Sequence, residues 1–152
     1  MKKADQIISQ KLLNDLLANH AVVLMQTLNY HWNIVGPEFH DYHLLLDKQY
    51  NAIFADMDAI AERVRAVEGV ALGSMKEMLA QATLKEDSGK TPKPAQMIVN
   101  LLKQYEATIE QIREGLIVLD KKSTDFGTVN FLEDLLCRTE KTAWMLRSLT
   151  GK

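Results

Sequence analysis

The stretch that decides the fold is residues 39–67, FHDYHLLLDKQYNAIFADMDAIAERVRAV. Its apolar residues recur at alternating steps of four and three, namely at Leu46, Tyr50, Ile53, Met57, Ile60, Val64 and Val67. An α-helix has about 3.6 residues per turn, so such steps return to one side of the helix. The stretch therefore predicts one long amphipathic helix with a single buried stripe, closed by Gly69.

Three more segments show the same helical spacing. The first covers about residues 5–35 and ends at Gly36-Pro37, a pair that stops a helix. The third begins near Pro94 and continues to about 119, and the fourth covers about 128–148. Between the second and third helices lies a long linker, 69–94, whose glycines and prolines surround a short apolar patch.

The apolar patch in that linker, at Met75, Met78 and Leu79, predicts one short helix within the crossover. Short links at both ends make the first two and the last two helices antiparallel neighbours. Together these features predict an all-α, ferritin-like four-helix bundle with a short extra helix in the crossover between helices 2 and 3. We expect residues 1–152 to form a single domain of this kind.

Composition narrows the possible functions. The net charge of −2 excludes nucleic-acid binding through overall charge, so DNA binding would need a local basic patch such as Lys2 and Lys3. The single cysteine, Cys137, cannot form an intramolecular disulfide and is expected to be a small buried residue of the fourth helix. No signal-peptide core and no apolar stretch of about 20 residues is present, so we expect a cytoplasmic protein without a membrane partner.

The histidines indicate a metal site. Three of the four lie at positions 31, 40 and 43. His31 continues the inward stripe of the first helix, where a polar ring needs a partner. His43 precedes Asp47 by four residues, a spacing that places imidazole and carboxylate on one helical face. His40 alone is interpreted as a surface or capping residue.

Asp58 and Glu62 repeat the four-residue spacing farther along the second helix. With His43 and Asp47 they fall within roughly 100° of arc around the helix axis. They form one polar stripe beside the buried apolar residues of the same helix. Asp47 and Asp58 are 11 residues apart in the sequence, which is about 16 Å along a helix, so one chain cannot bring both to the same ion.

Two copies of this helix packed antiparallel about a twofold axis would unite the two ends of the stripe, with His31 added across the Gly36-Pro37 turn. The alternative is that the carboxylates form a solvated charged face without a ligand. Mixed imidazole and carboxylate ligands suit Fe(II), Zn(II) or Mn(II) better than calcium or magnesium. The sequence contains no Glu-x-x-His, so the intrasubunit di-iron centre of ordinary ferritin-like bundles is not expected.

The residues from Asn29 to His40, NYHWNIVGPEFH, followed by His43, Asp47 and the run from Asp58 to Arg63, DAIAER, resemble the signature of Dps proteins, the miniferritins also called DNA-binding proteins from starved cells. The crossover run LGSMKE from Leu72 and the run EKTAWML from Glu140 resemble the same family. The resemblance covers nearly the whole chain.

This resemblance implies a hollow shell of twelve chains that oxidises Fe(II), preferably with hydrogen peroxide, and stores ferric mineral, so protecting the cell from oxidative damage. The implied iron ligands are His31, His43 and Asp47 of one chain and Asp58 and Glu62 of its partner. Trp32, next to His31, is implied as a residue that intercepts stray oxidising equivalents or simply packs at the helix end. The implied iron-entry channel corresponds to Asp120, Asp125 and Asp134, with Asn130 where an aspartate is common.

Two alternatives of other classes stay open. The chain could be a structural protein that compacts the nucleoid by binding DNA, with little iron chemistry. It could also be an oligomeric helical scaffold that binds structural zinc.

Overall fold

A computed structural model, which describes residues 1–151, consists of five α-helices. They are α1 (Lys3–Asn33), α2 (Phe39–Ala66), α3 (Met75–Gln81), α4 (Pro94–Lys122) and α5 (Phe126–Leu149), and no strand occurs in the described part of the chain. α1 packs along α2 and α4 along α5, and the contact of α1 with α4 joins the two pairs. The short helix α3 packs on α1 within the crossover. The predicted helices and the short crossover helix are confirmed to within about three residues.

The predicted stripes form the core. On α2, Leu46, Ile53, Ile60 and Val64 are buried, and Tyr50 and Met57 are partly buried. The core has two apolar clusters. One surrounds Tyr30 and Leu46 near the α1–α2 turn, and the other surrounds Leu16 and Val64 toward the opposite end of the bundle. Burial of these side chains holds the long helices rigid, so α2 fixes the spacing between its two groups of polar side chains.

The crossover is held against the bundle by polar contacts. Asn19 of α1 accepts hydrogen bonds from the backbone N–H groups of Thr83 and Leu84, at 2.8 and 3.0 Å. Asp87 accepts from the Tyr30 hydroxyl and from the Asn100 amide. Ser74 caps α3 by accepting from the backbone N–H of Glu77. The contacts of Asn19 and Asp87 tie the segment that follows α3 to α1 and α4.

Gly69 does not close α2 in the way that its sequence position predicts. The residue with left-handed backbone is Glu68 (φ 61°), and Gly69 does not have a positive φ. Gly69 donates its N–H to the Val64 carbonyl and Glu68 donates to that of Arg65, which is a Schellman motif with Glu68 at its left-handed position. A Cβ on Gly69 would lie 2.6 Å from Gln10 Cγ and 2.9 Å from Val64 Cγ1. Glycine is needed there because α1 approaches closely.

Asp125, which the resemblance assigns to the iron-entry channel, is a buried cap within this chain. It is buried at the N-terminus of α5, where it accepts from the Thr128 N–H, the Ser9 hydroxyl and the Arg63 guanidinium. Burial alone would raise the pKa of this carboxyl, but the hydrogen bonds from Thr128 and Ser9 and the charge of Arg63 lower it. Asp125 therefore stays ionised inside this network. Asp120 and Asp134 are exposed.

Cys137 is exposed, contrary to the expectation that it would be buried. The inward positions of α5 include Leu135 and Thr139. Cys137 lies two residues from each of them, which is about 200° around the helix, so it points away from the core.

Candidate metal centre

His31, near the end of α1, and His43, in the first turns of α2, are bound to each other reciprocally. His31 Nδ1 lies 3.1 Å from the His43 carbonyl oxygen, and His43 Nδ1 lies 2.9 Å from the His31 carbonyl oxygen. The two rings are stacked, with centroids 3.8 Å apart and an angle of 17° between planes. The turn at Gly36-Pro37 makes this approach possible, because Gly36 adopts φ 138°, a left-handed value that glycine tolerates.

These hydrogen bonds determine which ring nitrogens can bind a metal. A carbonyl oxygen only accepts, so Nδ1 of each ring must carry the proton. In a neutral imidazole the other nitrogen, Nε2, then keeps its lone pair. Metal-binding histidines commonly have this arrangement, in which a backbone carbonyl orients the ring from behind. His31 and His43 are therefore prepared to bind through Nε2.

Asp47 lies on the same face of α2 as His43, one turn farther along. The Tyr50 hydroxyl donates to Asp47 Oδ1 at 2.8 Å, which leaves Oδ2 without a donor among residues 1–151. That hydrogen bond, together with burial, raises the pKa of Tyr50, so the phenol keeps its proton. Tyr50 also meets the His31 ring edge-on, with centroids 5.1 Å apart. We call His31, His43 and Asp47 the histidine half-site.

Asp58 and Glu62 form a second group, which we call the acidic half-site. Both side chains are exposed on α2, and neither forms an ion pair or a hydrogen bond within the part of the chain that the structure describes. Because α2 is continuous from Phe39 to Ala66, Asp58 stays about 16 Å from Asp47 along the helix axis.

A single chain does not complete a metal site. Among residues 1–151, no three His, Cys, Asp or Glu side chains come together in a way that could hold a metal ion. The structure thus brings His31 and His43 into contact. Asp47 lies one helical turn farther along α2, and Asp58 and Glu62 lie apart from all three.

Two other predicted residues lie beside the histidine half-site. Trp32 is 63% exposed and follows His31 on α1. His40 is exposed at the start of α2 and has no partner among the described residues. The interpretation of His40 as a surface residue agrees with its exposure.

Sequence reasoning missed Tyr50 and Phe39 as parts of the site. The apolar spacing of α2 predicts Tyr50 only as a core residue, whereas its spacing of three from Asp47 places both side chains on one face. Phe39 stacks on His43, with centroids 4.9 Å apart, and so supports the ring from the side away from His31. No feature of the sequence predicted that contact.

An uncovered apolar surface lies on α1 and α3, and one of its residues, Trp32, directly follows His31. Met25 and Trp32 are seven residues apart on α1 and share one face, and both are exposed. Met75 and Leu79 of α3 are 78% and 66% exposed and line an apolar groove with Met25. We call these four residues the apolar stripe. Exposed apolar surface of this kind is typical of protein interfaces.

Comparison with known proteins matches this chain to a family model, to relatives in sequence and to solved structures. The family model for the ferritin-like domain matches residues 10–152. A low temperature-induced protein of Nostoc sp. is 41% identical over 90% of this chain and 76% of its own length. DNA protection during starvation protein 2 of Bacillus anthracis is 30% identical over 93% of this chain and 96% of its own length.

Among solved structures, the DPS protein from Vibrio cholerae O1 is described as a member of a broad superfamily of ferritin-like diiron-carboxylate proteins. It is 31% identical with a TM-score of 0.88, and the match covers 95% of this chain and 91% of that one.

Proposed function

This chain belongs to the Dps family of ferritin-like miniferritins, and on that premise we propose that it oxidises Fe(II) at centres shared by two copies and stores the ferric product. His31, His43 and Asp47 of one chain bind iron together with Asp58 and Glu62 of its partner. The assembled protein is a hollow shell of twelve chains, and hydrogen peroxide is its preferred oxidant.

The observation that carries this proposal is the orientation of the two histidines. Both rings are held from behind by backbone carbonyls, so both Nε2 atoms keep a lone pair with which to bind a metal ion. The acidic half-site supplies what these rings lack, namely unpaired negative charge that a bound cation would neutralise. Imidazole and carboxylate together match the ligands that Fe(II) prefers.

A second copy can cover the apolar stripe and complete the site in one step. In a twofold pair the same patch of each chain faces its equivalent, so each histidine half-site that meets an acidic half-site creates a second, identical centre. Burial of Met25, Met75 and Leu79 at this interface would favour association, at about 25 cal/mol for each Å² of apolar surface removed from water.

The chemistry follows from having two Fe(II) ions at one centre. Each ion gives one electron to the same peroxide molecule, the O–O bond breaks, and two protons complete the formation of two water molecules. A single Fe(II) would deliver only one electron and would release hydroxyl radical. Carboxylates stabilise the additional positive charge of Fe(III). Trp32 beside the centre is suited to intercept oxidising equivalents that escape.

Stopped-flow measurement of Fe(II) oxidation by peroxide tests this proposal. The double variant Asp58→Ala, Glu62→Ala should oxidise Fe(II) no faster than buffer does, because half of each centre is missing. A double variant with the wild-type rate would refute the assigned site. Metal analysis of protein from iron-grown cells distinguishes this function from a zinc-binding scaffold, which would contain zinc at constant stoichiometry.

DNA binding is a second candidate, because the Bacillus anthracis relative is named for DNA protection during starvation. In this chain the basic residues nearest the start are Lys2 and Lys3, both exposed. Gel-shift titration at low and at physiological salt tests it. Binding through phosphate contacts must weaken steeply as salt rises, and it should be unchanged in the Asp58→Ala, Glu62→Ala variant.

A further inference from the structure

A cavity of about 260 Å³ lies in the middle of the bundle, away from the proposed iron ligands. All four long helices line it, as is common for ligand sites in helical bundles. Its wall is mainly apolar and includes Val23 of α1 with Ala52 and Ile53 of α2. For comparison, an apolar cavity of about 150 Å³ is large enough to bind benzene.

Two buried polar side chains line this cavity without partners. His20 is 6% exposed, and its Nδ1–H donates to the Leu16 carbonyl at 2.9 Å. Its Nε2 therefore keeps a lone pair, for which no donor exists among residues 1–151. Tyr105 is 7% exposed, and its hydroxyl has no hydrogen-bond partner within the same residues. Neither atom is among the fully enclosed side-chain atoms that lack a partner, so both open onto the accessible space of the cavity, where a ligand or water can bond to them.

The charges around the cavity are already compensated. Asp56 of α2 and Arg138 of α5 form an ion pair at 3.1 Å, and both are partly exposed, so they lie where the cavity reaches solvent. Burial lowers the pKa of His20 and raises that of Tyr105, which keeps both groups neutral at pH 7. A charged ligand would gain no unpaired opposite charge and would lose its hydration.

We propose that this cavity is a binding site for a small neutral molecule that has a hydroxyl group on an apolar body. A hydroxyl is the group that fits both polar atoms, because it donates to His20 Nε2 and accepts from the Tyr105 hydroxyl. The apolar body packs against Val23, Ala52 and Ile53. Binding at this cavity does not depend on the proposed iron chemistry.

Isothermal titration of the assembled protein with phenol, and with toluene as its counterpart without a hydroxyl, tests the proposal. We expect phenol to saturate at one molecule per chain and to bind about tenfold tighter than toluene, since two hydrogen bonds separate them. Tyr105→Phe removes only the hydroxyl and should weaken phenol binding about fivefold without changing toluene binding.

Ala52→Leu serves as a second variant, because its larger side chain fills the cavity from the surface of α2. It should abolish binding of both molecules. His20→Phe should weaken phenol binding at least as much as Tyr105→Phe does. The proposal is overturned if phenol does not bind, if toluene binds equally well, or if phenol binding is unchanged in both Tyr105→Phe and Ala52→Leu. The first of these results would mean that the cavity holds water only.

Discussion

At the scale of single residues, the two stacked histidines differ from their neighbour His40 in one respect that matters for iron. His31 and His43 are oriented by carbonyl oxygens, whereas His40 is exposed and has no such contact in the described chain. All three histidines lie close together in the sequence, so their positions alone do not distinguish them. Orientation separates them, because a ligand must present its lone pair in a fixed direction.

His43→Ala should therefore lower the rate of peroxide-dependent Fe(II) oxidation by at least about tenfold, through loss of one ligand and of the ring that stacks on His31. Stopped-flow absorbance at saturating Fe(II) measures the rate. His40→Ala is the matched control and should leave it unchanged. Equal losses in the two variants would show that the orientation of these rings is not what selects the ligands.

His20 gives a prediction about pH. Burial lowers its pKa below the ordinary value of 6.5, and Asp56, which raises it, does not compensate. The neutral ring is favoured in the fold, so its contribution to stability is complete above pH 6.5 and is lost as the pH falls below that value. The other titratable or charged groups that line this cavity are Tyr105 and the Asp56–Arg138 pair.

Thermal unfolding should show this effect. When the pH is lowered from 7.5 to 5.5, the midpoint temperature of unfolding should fall more for the wild-type protein than for His20→Phe, because phenylalanine cannot take up a proton. If both midpoints fall by the same amount, protonation of His20 does not contribute to acid sensitivity.

At the scale of helices, Gly69 shows a constraint that comes from packing. Gly69→Ala should lower the free energy of unfolding by about 1–3 kcal/mol, because its Cβ would overlap Gln10 and Val64. Gln10 cannot move freely, since its amide donates to the Val67 carbonyl at 2.7 Å. Urea denaturation measures the change. Gly73→Ala is the control, with no atom within 4 Å of the added Cβ, and an equal loss there would contradict the packing explanation.

The helices themselves could be predicted from the sequence because their stripes repeat over many turns. The alternating steps of α2 placed its ends correctly within about a residue, and the ferritin-like, all-α fold is confirmed. The closing glycine could not be predicted, because α1 meets Gly69 from a distant part of the chain. The sequence predicts correctly that Cys137 lies on α5, but it predicts a buried position where the side chain is exposed. No local pattern distinguishes this position from a core position.

Part of the candidate site could be predicted in the same way. The phase of His43 and Asp47 followed from helical spacing, and His31 was brought to them by the turn. The reciprocal carbonyl contacts and the role of Tyr50 depend on how two helices cross, which spacing on one helix does not contain. For Asp125 the family pattern predicts a channel residue, and the structure adds a role that this pattern does not contain, namely a buried cap of α5.

At the scale of the whole molecule, the histidine and acidic half-sites lie at separate places on one rigid helix, and an apolar stripe remains uncovered. Both features are explained if the functional unit is a pair of chains. Native mass measurement should give a multiple of this pair, and twelve chains is the number we propose. A monomer at micromolar concentration would leave each chain with half of two centres and no complete one.

The central claim, that each iron centre is built from two chains, is tested most directly by mixing two inactive variants. His43→Ala retains the acidic half-site, and the double variant Asp58→Ala, Glu62→Ala retains the histidine half-site. When they are co-assembled in equal amounts, half of the pairs are mixed, and each mixed pair contains one intact centre out of two. We predict that co-assembly restores about one quarter of the wild-type rate of peroxide-dependent Fe(II) oxidation, while each variant alone stays inactive. No recovery in assemblies shown by mass to contain both variants would contradict the shared centre.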